Sequence, residues 1–149
     1  MREPPFHALP KLLDREWLSR QVQFYWSAPW TYLSQVRQPI EAGSSCDYRF
    51  DIALPKRTLG PQARLRVVCN QPLVDVSLAA FVNGTRVDPT DEVGPPFEYP
   101  YDRLLGECKL RRAWNCPSGL LRDGENTVRI AVDRATGSVV PVWLDLAVW

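Results

Sequence analysis

At 149 residues, the chain has room for one domain with a sizeable core, and its 45% apolar content is that of an ordinary globular protein. Fourteen Pro and eight Gly favour many short elements joined by turns over long helices, which makes an all-β fold the expected class. Eighteen basic against seventeen acidic residues leave a net charge of +1; this argues against a nucleic-acid partner, and no apolar run approaches the roughly 18 residues of a membrane span.

Residues 1–10 (MREPPFHALP) read as a tail or linker, because Pro4, Pro5 and Pro10 deny the segment regular structure. His7, the single histidine, lies there and is expected to be solvated. Leu9, Leu12, Leu13 and Trp17 follow helical spacing, so a short helix is predicted over 10–20. Residues 1–20 are therefore assigned to an N-terminal tail or linker and 21–149 to a β-sandwich domain. Within 21–33 the rings of Phe24, Tyr25, Trp26, Trp30 and Tyr32 surround Pro29, which fits two short strands flanking a bend.

Residues 46–54 alternate cleanly, with Tyr48, Phe50, Ile52 and Leu54 directed inward and Pro55 ending the run. The next strand covers 63–69, with Leu65 and Val67 inward and Arg64, Arg66 and Val68 on the other face. Residues 74–82 lead into Asn83-Gly84, and extended character resumes at Thr85. Asn-Gly between two such runs predicts a hairpin with a type I′ turn, because both central residues need positive φ. Asn83-Gly84-Thr85 also matches the N-glycosylation acceptor pattern, which would matter only in a secreted chain.

From 88 to 101, five prolines and glycines (Pro89, Gly94, Pro95, Pro96, Pro100) exclude a central strand and indicate a long surface loop carrying Phe97, Tyr99 and Tyr101. A short strand is expected within 109–114 and one helical turn within 117–121. Asp123-Gly124 then reverses the chain into a strand whose Val128, Ile130 and Val132 share one face, with Thr127, Arg129 and Ala131 on the other. The closing strand alternates Val140, Val142, Leu144, Leu146 and Val148 with Trp143 and Trp149 on the opposite side; Pro141 places its start on an edge.

The run of strands at 48–50 and 63–67, the Ala80-Phe81-Val82-Asn83-Gly84 stretch and Leu121-Arg122-Asp123-Gly124-Glu125-Asn126-Thr127-Val128 together resemble the galactose-binding-domain-like jelly roll. That family includes accessory and sugar-binding domains of β-galactosidase and β-glucuronidase type glycoside hydrolases. The resemblance covers about residues 22–149. It implies a jelly-roll β-sandwich of two antiparallel sheets, with ligand sites, where present, in loops at one end. The segment from 98 to 115 is longer than the family's usual connection.

A sugar site needs exposed rings on which apolar sugar faces stack, with polar side chains beside them for the hydroxyls. Trp26, Trp30, Tyr32, Tyr99, Tyr101 and Trp114 are the candidate carbohydrate-binding residues, with Glu98, Asp102, Arg103 and Asn115 as polar company. The alternative is that these rings anchor the core, since Trp and Tyr bury large areas. Catalysis is not expected. The one histidine lies in the tail, and the carboxylates Asp51, Glu98, Asp102 and Glu107 form no distinctive pair. No cofactor or metal site is legible, although this fold accommodates a structural calcium. The four cysteines permit three disulfide connectivities; Cys108 and Cys116 bracket the long loop, which would leave Cys46 and Cys69 to pair across the sandwich. An even cysteine count suits an extracellular or secretory location, whereas buried free thiols would suit a cytosolic one. Two functions are thus expected. One is a non-catalytic carbohydrate-binding accessory domain of a glycoside hydrolase that binds a neutral sugar. The other is a structural jelly roll that packs against a neighbouring catalytic domain.

Overall fold

The computed structural model describes residues 23–26, 38–53, 62–92, 94 and 108–149, with only the backbone at 23–26, 108 and 118. The helix expected over 10–20 lies outside these residues. The described chain forms strands β1 (Gln23–Trp26), β2 (Ile40–Glu41), β3 (Ser45–Ile52), β4 (Ala63–Cys69) and β5 (Ser77–Val82). After these come β6 (Thr85–Thr90), β7 (Arg111–Cys116), β8 (Gly124–Arg134), β9 (Ser138–Val139) and β10 (Pro141–Val148). Short 3-10 turns at Cys108–Leu110 and Ser118–Leu120 complete it.

An eight-stranded antiparallel sheet runs in the order β1-β10-β4-β7-β6-β5-β8-β3, and β2 pairs separately with β9. The large sheet curls so far that its end strands, β1 and β3, approach each other. An all-β sandwich results, and β6 is its corner. Thr85, Arg86 and Val87 pair with β5, whereas Asp88, Pro89 and Thr90 pair with β7. The sequence pointed to loop from residue 88, but the strand continues through Pro89. Proline is tolerated because this stretch has a ladder partner on one side only, so its missing N–H removes no bond.

The core forms between the two halves of the curled sheet. Tyr48, Phe50 and Ile52 of β3 and Val128, Ile130 and Val132 of β8 meet Leu65 and Val67 of β4, Trp114 of β7, and Leu144, Leu146 and Val148 of β10. The period-two alternation therefore fixes the register on β3 and β8 as expected. On β4 and β10 it does not separate core from solvent. Arg66 and Asp145, on the face away from the core, are wholly buried, as are Trp143 and Ala147 beside them.

Arg66 and Asp145 form a bidentate ion pair, with Nε to Oδ1 at 2.8 Å and Nη2 to Oδ2 at 2.9 Å. Trp143 Nε1 also donates to Asp145 Oδ2 at 2.9 Å. Each charge is satisfied by a fixed, planar partner, which is the condition for burying it. β10 lies between β1 and β4, but β1 pairs only residues 145–148, so among the described residues the start of the strand at Pro141 has a ladder partner on the β4 side alone, the edge position its proline led us to expect, and a register irregularity follows between Pro141 and Trp143.

Candidate functional site

The solvent face of the β6-β5-β8-β3 half carries the residues that alternation directs away from the core. Ala80 and Val82 point inward, so Phe81 between them points out and is half-buried. Strand register then aligns four side chains in one row across the sheet: Arg86 opposite Phe81, Phe81 opposite Arg129, and Arg129 opposite Asp47. Beside this row is an open depression of about 220 Å³ lined by Asp47, Phe81, Gly84, Thr127 and Arg129.

Two exposed ion pairs order the polar part of this face. Arg129 Nε donates to Asp47 Oδ1 at 2.8 Å and its Nη2 to Oδ2 at 3.4 Å; Arg49 Nη1 lies 3.4 Å from Glu125 Oε2. The hydrogen bond from Arg129 holds the Asp47 carboxyl below its usual titration range; burial opposes this, and the Arg129 charge adds a smaller lowering. Arg86 differs. Its guanidinium stands 6.0 Å from the Phe81 ring centroid, and among the described residues it has no carboxylate partner.

The rim of the depression at Gly84 is held by paired asparagines. Asn83 and Gly84 have φ of 49° and 86°, as a type I′ turn requires. Asn83 Nδ2 donates to Leu120 O at 2.7 Å and Asn126 Oδ1 at 2.9 Å, while its Oδ1 accepts from Thr127 N at 2.9 Å. Asn126, fully buried, donates to Arg122 O and Gly124 O and accepts from Arg122 N. These bonds explain the Leu-X-X-Gly-X-Asn-X-Val stretch: Asn126 closes the turn that Gly124, at φ 93°, reverses. A glycan on Asn83 would take a hydrogen from the same nitrogen that makes two of these bonds.

Several expected site residues are placed differently. Trp114 is 2% exposed and belongs to the core, because β7 turns residues 114 and 116 inward; its ring cannot stack on a ligand. Trp26 lies on β1, where only the backbone is described, and Trp30, Tyr32, Tyr99 and Tyr101 lie outside the described residues. So do Glu98, Asp102, Arg103 and Glu107, whereas Asn115 is exposed on β7.

Cys46, Cys69 and Cys116 are free thiols, so neither the Cys108–Cys116 nor the Cys46–Cys69 bridge is formed. For the first pair the reason is geometric: β7 alone extends Cys116 about 17 Å along the strand from Arg111, against the roughly 7 Å Cα separation a disulfide tolerates. Burial pushes the thiols of Cys69 and Cys116 up to about 12. Both are therefore protonated and unreactive at neutral pH. Among the described residues, no group of three or more His, Cys, Asp or Glu could hold a metal, and no helix is long and apolar enough to cross a membrane.

The row at Phe81 was not anticipated from the sequence. Its signal was an aromatic residue on the polar face of a strand, flanked by the inward pair Ala80 and Val82.

No family model and no curated protein matches the chain. Among solved structures, a glycoside hydrolase family 86 β-porphyranase from the human gut bacterium Bacteroides plebeius aligns with 85% of this chain, at a TM-score of 0.57 and 23% identity. BuGH86 in complex with neoagarooctaose aligns with 85% at a TM-score of 0.56 and 18% identity. The chain spans 20% and 18% of the length of these two structures. At such identities the likeness is one of fold: the sandwich is similar to one part of larger family 86 glycoside hydrolase chains.

Proposed function

We propose that this chain is a non-catalytic accessory domain of a glycoside hydrolase and that it holds a carbohydrate at the depression beside Phe81. The observation that carries this reading is the fold correspondence, at TM-scores of 0.57 and 0.56, with a fraction of two family 86 chains. The site chemistry supports it. A half-buried ring offers an apolar platform for a sugar face, and Thr127, Asp47 and Arg129 supply hydrogen-bonding groups around it. The tie between Asp47 and Arg129 favours binding over acid–base work, because it keeps the carboxylate ionised and engaged. The rings of Trp30, Tyr32, Tyr99 and Tyr101 remain a second place for stacking. Polymeric substrates do not cross intact membranes, so we place the domain outside the cytoplasm.

The test is isothermal titration of the folded chain with neoagarooctaose, chosen because BuGH86 is seen with it, and with xylan and glucan oligosaccharides as comparators. Binding of at least one probe is expected. Phe81→Ala should weaken it about tenfold or more, the effect of losing a central contact. Weakening by Trp30→Ala or Tyr99→Ala instead would move the site to those rings. Absence of heat with every probe would favour the other reading, a structural domain packed on a catalytic neighbour.

A further inference from the structure

The four-residue row has an asymmetry that bears on ligand class. Of its two guanidiniums, Arg129 is neutralised by a bidentate Asp47, whereas among the described residues Arg86 meets the Phe81 ring and no carboxylate. A 6.0 Å separation is at the outer limit of cation–π contact, so little holds Arg86 in place against a stronger partner. An exposed Arg with no carboxylate partner among the described residues, next to an aromatic platform, has its fork of N–H donors available for a planar or tetrahedral oxyanion.

From this, and resting on the carbohydrate reading above, we infer that the Phe81 depression selects sugars bearing an anionic substituent, a sulfate ester or a uronate carboxylate, through Arg86. The sugar ring lies against Phe81, its hydroxyls meet Thr127 and the Asp47–Arg129 pair, and its oxyanion accepts hydrogen bonds from Arg86. Long-range attraction contributes little at a net charge of +1, so the preference is local and belongs to one cation. Arg49 on the same face cannot substitute for it, because Glu125 already pairs with it.

The experiment titrates the full chain with sulfated galactan oligosaccharides, with the same oligosaccharides after desulfation, and with oligogalacturonate, at low and moderate salt. Wild type is expected to bind an anionic probe about tenfold more tightly than the neutral one, with the preference shrinking as salt rises. Arg86→Gln should bring anionic and neutral affinities together, whereas Arg49→Gln should leave the preference intact. Whichever anionic probe binds more tightly identifies the substituent. Equal binding of all probes by wild type, or a preference that survives Arg86→Gln or is equally lost in Arg49→Gln, overturns the inference while leaving a sugar site in place. No binding of any probe removes the sugar site itself.

Discussion

Asn83 does two jobs at one position: its backbone takes the left-handed conformation at the hairpin tip and its side chain joins that tip to Leu120, Asn126 and Thr127. Replacing it with Ala puts a Cβ residue without a polar group at positive φ and leaves Asn126 short of a partner. The loss should be about 4 kcal/mol, measured by urea denaturation, from roughly 1 kcal/mol for the strained conformation and a similar amount for each of the three lost bonds. A change within about 0.5 kcal/mol, the range of ordinary surface substitutions, would mean the clamp is idle. Asp47 supplies a residue-scale pH effect. Its folded-state pKa is depressed, chiefly by the hydrogen bond from Arg129, so the pair stabilises the protein above the unfolded carboxylate value. That contribution disappears as pH falls through the lower folded value. Asp47→Asn should therefore lower the unfolding midpoint slightly at pH 7 and converge with wild type as pH falls through the depressed folded value. The effect should be small, because both side chains are more than half exposed and solvent-screened.

At the level of elements, strands with one wet face were legible from sequence and strands with two dry faces were not. β3 and β8 place Tyr48, Phe50, Val128 and Ile130 in the core and leave Asp47, Arg49, Thr127 and Arg129 in water, so hydropathy reports their faces directly. Arg66 and Asp145 look like solvent residues in the sequence; their burial depends on a partner 79 positions away, which no local pattern reveals. Asp145→Ala should expose this dependence. It removes the carboxylate that neutralises the buried Arg66 guanidinium, which should cost about 3–5 kcal/mol in equilibrium unfolding, far more than removing either exposed pair. A loss below about 1 kcal/mol would show that Arg66 finds another partner or water. Pro89 was misread for a related reason. A proline excludes a strand only where a neighbour lies on the side its N–H would face, and the corner position of β6 leaves one side of Pro89 without a ladder partner.

For the molecule as a whole, composition and turn residues were enough to give the class, because fourteen prolines and eight glycines leave no room for long helices, whereas the candidate site was largely illegible. A surface row such as Arg86, Phe81, Arg129 and Asp47 exists only once strands distant in sequence lie side by side. The sequence drew attention to loop rings, of which the described residues place Trp114 in the core.

The same sheet order has a kinetic meaning. β3 pairs with β8 across 82 residues at Asp47 and Arg129, and β4 pairs with β10 across 79 at Arg66 and Asp145, so neither half of the sandwich is a contiguous piece of chain. Such wiring delays every reward until long loops have closed, and folding in the millisecond-to-second range follows. During synthesis the large sheet cannot be completed before β10 has left the ribosome, since it is the strand that joins β1 to β4. A chain ending at Val140 should therefore show no cooperative unfolding transition by circular dichroism. If it does show one, the β6-β5-β8-β3 half is an independent folding unit after all.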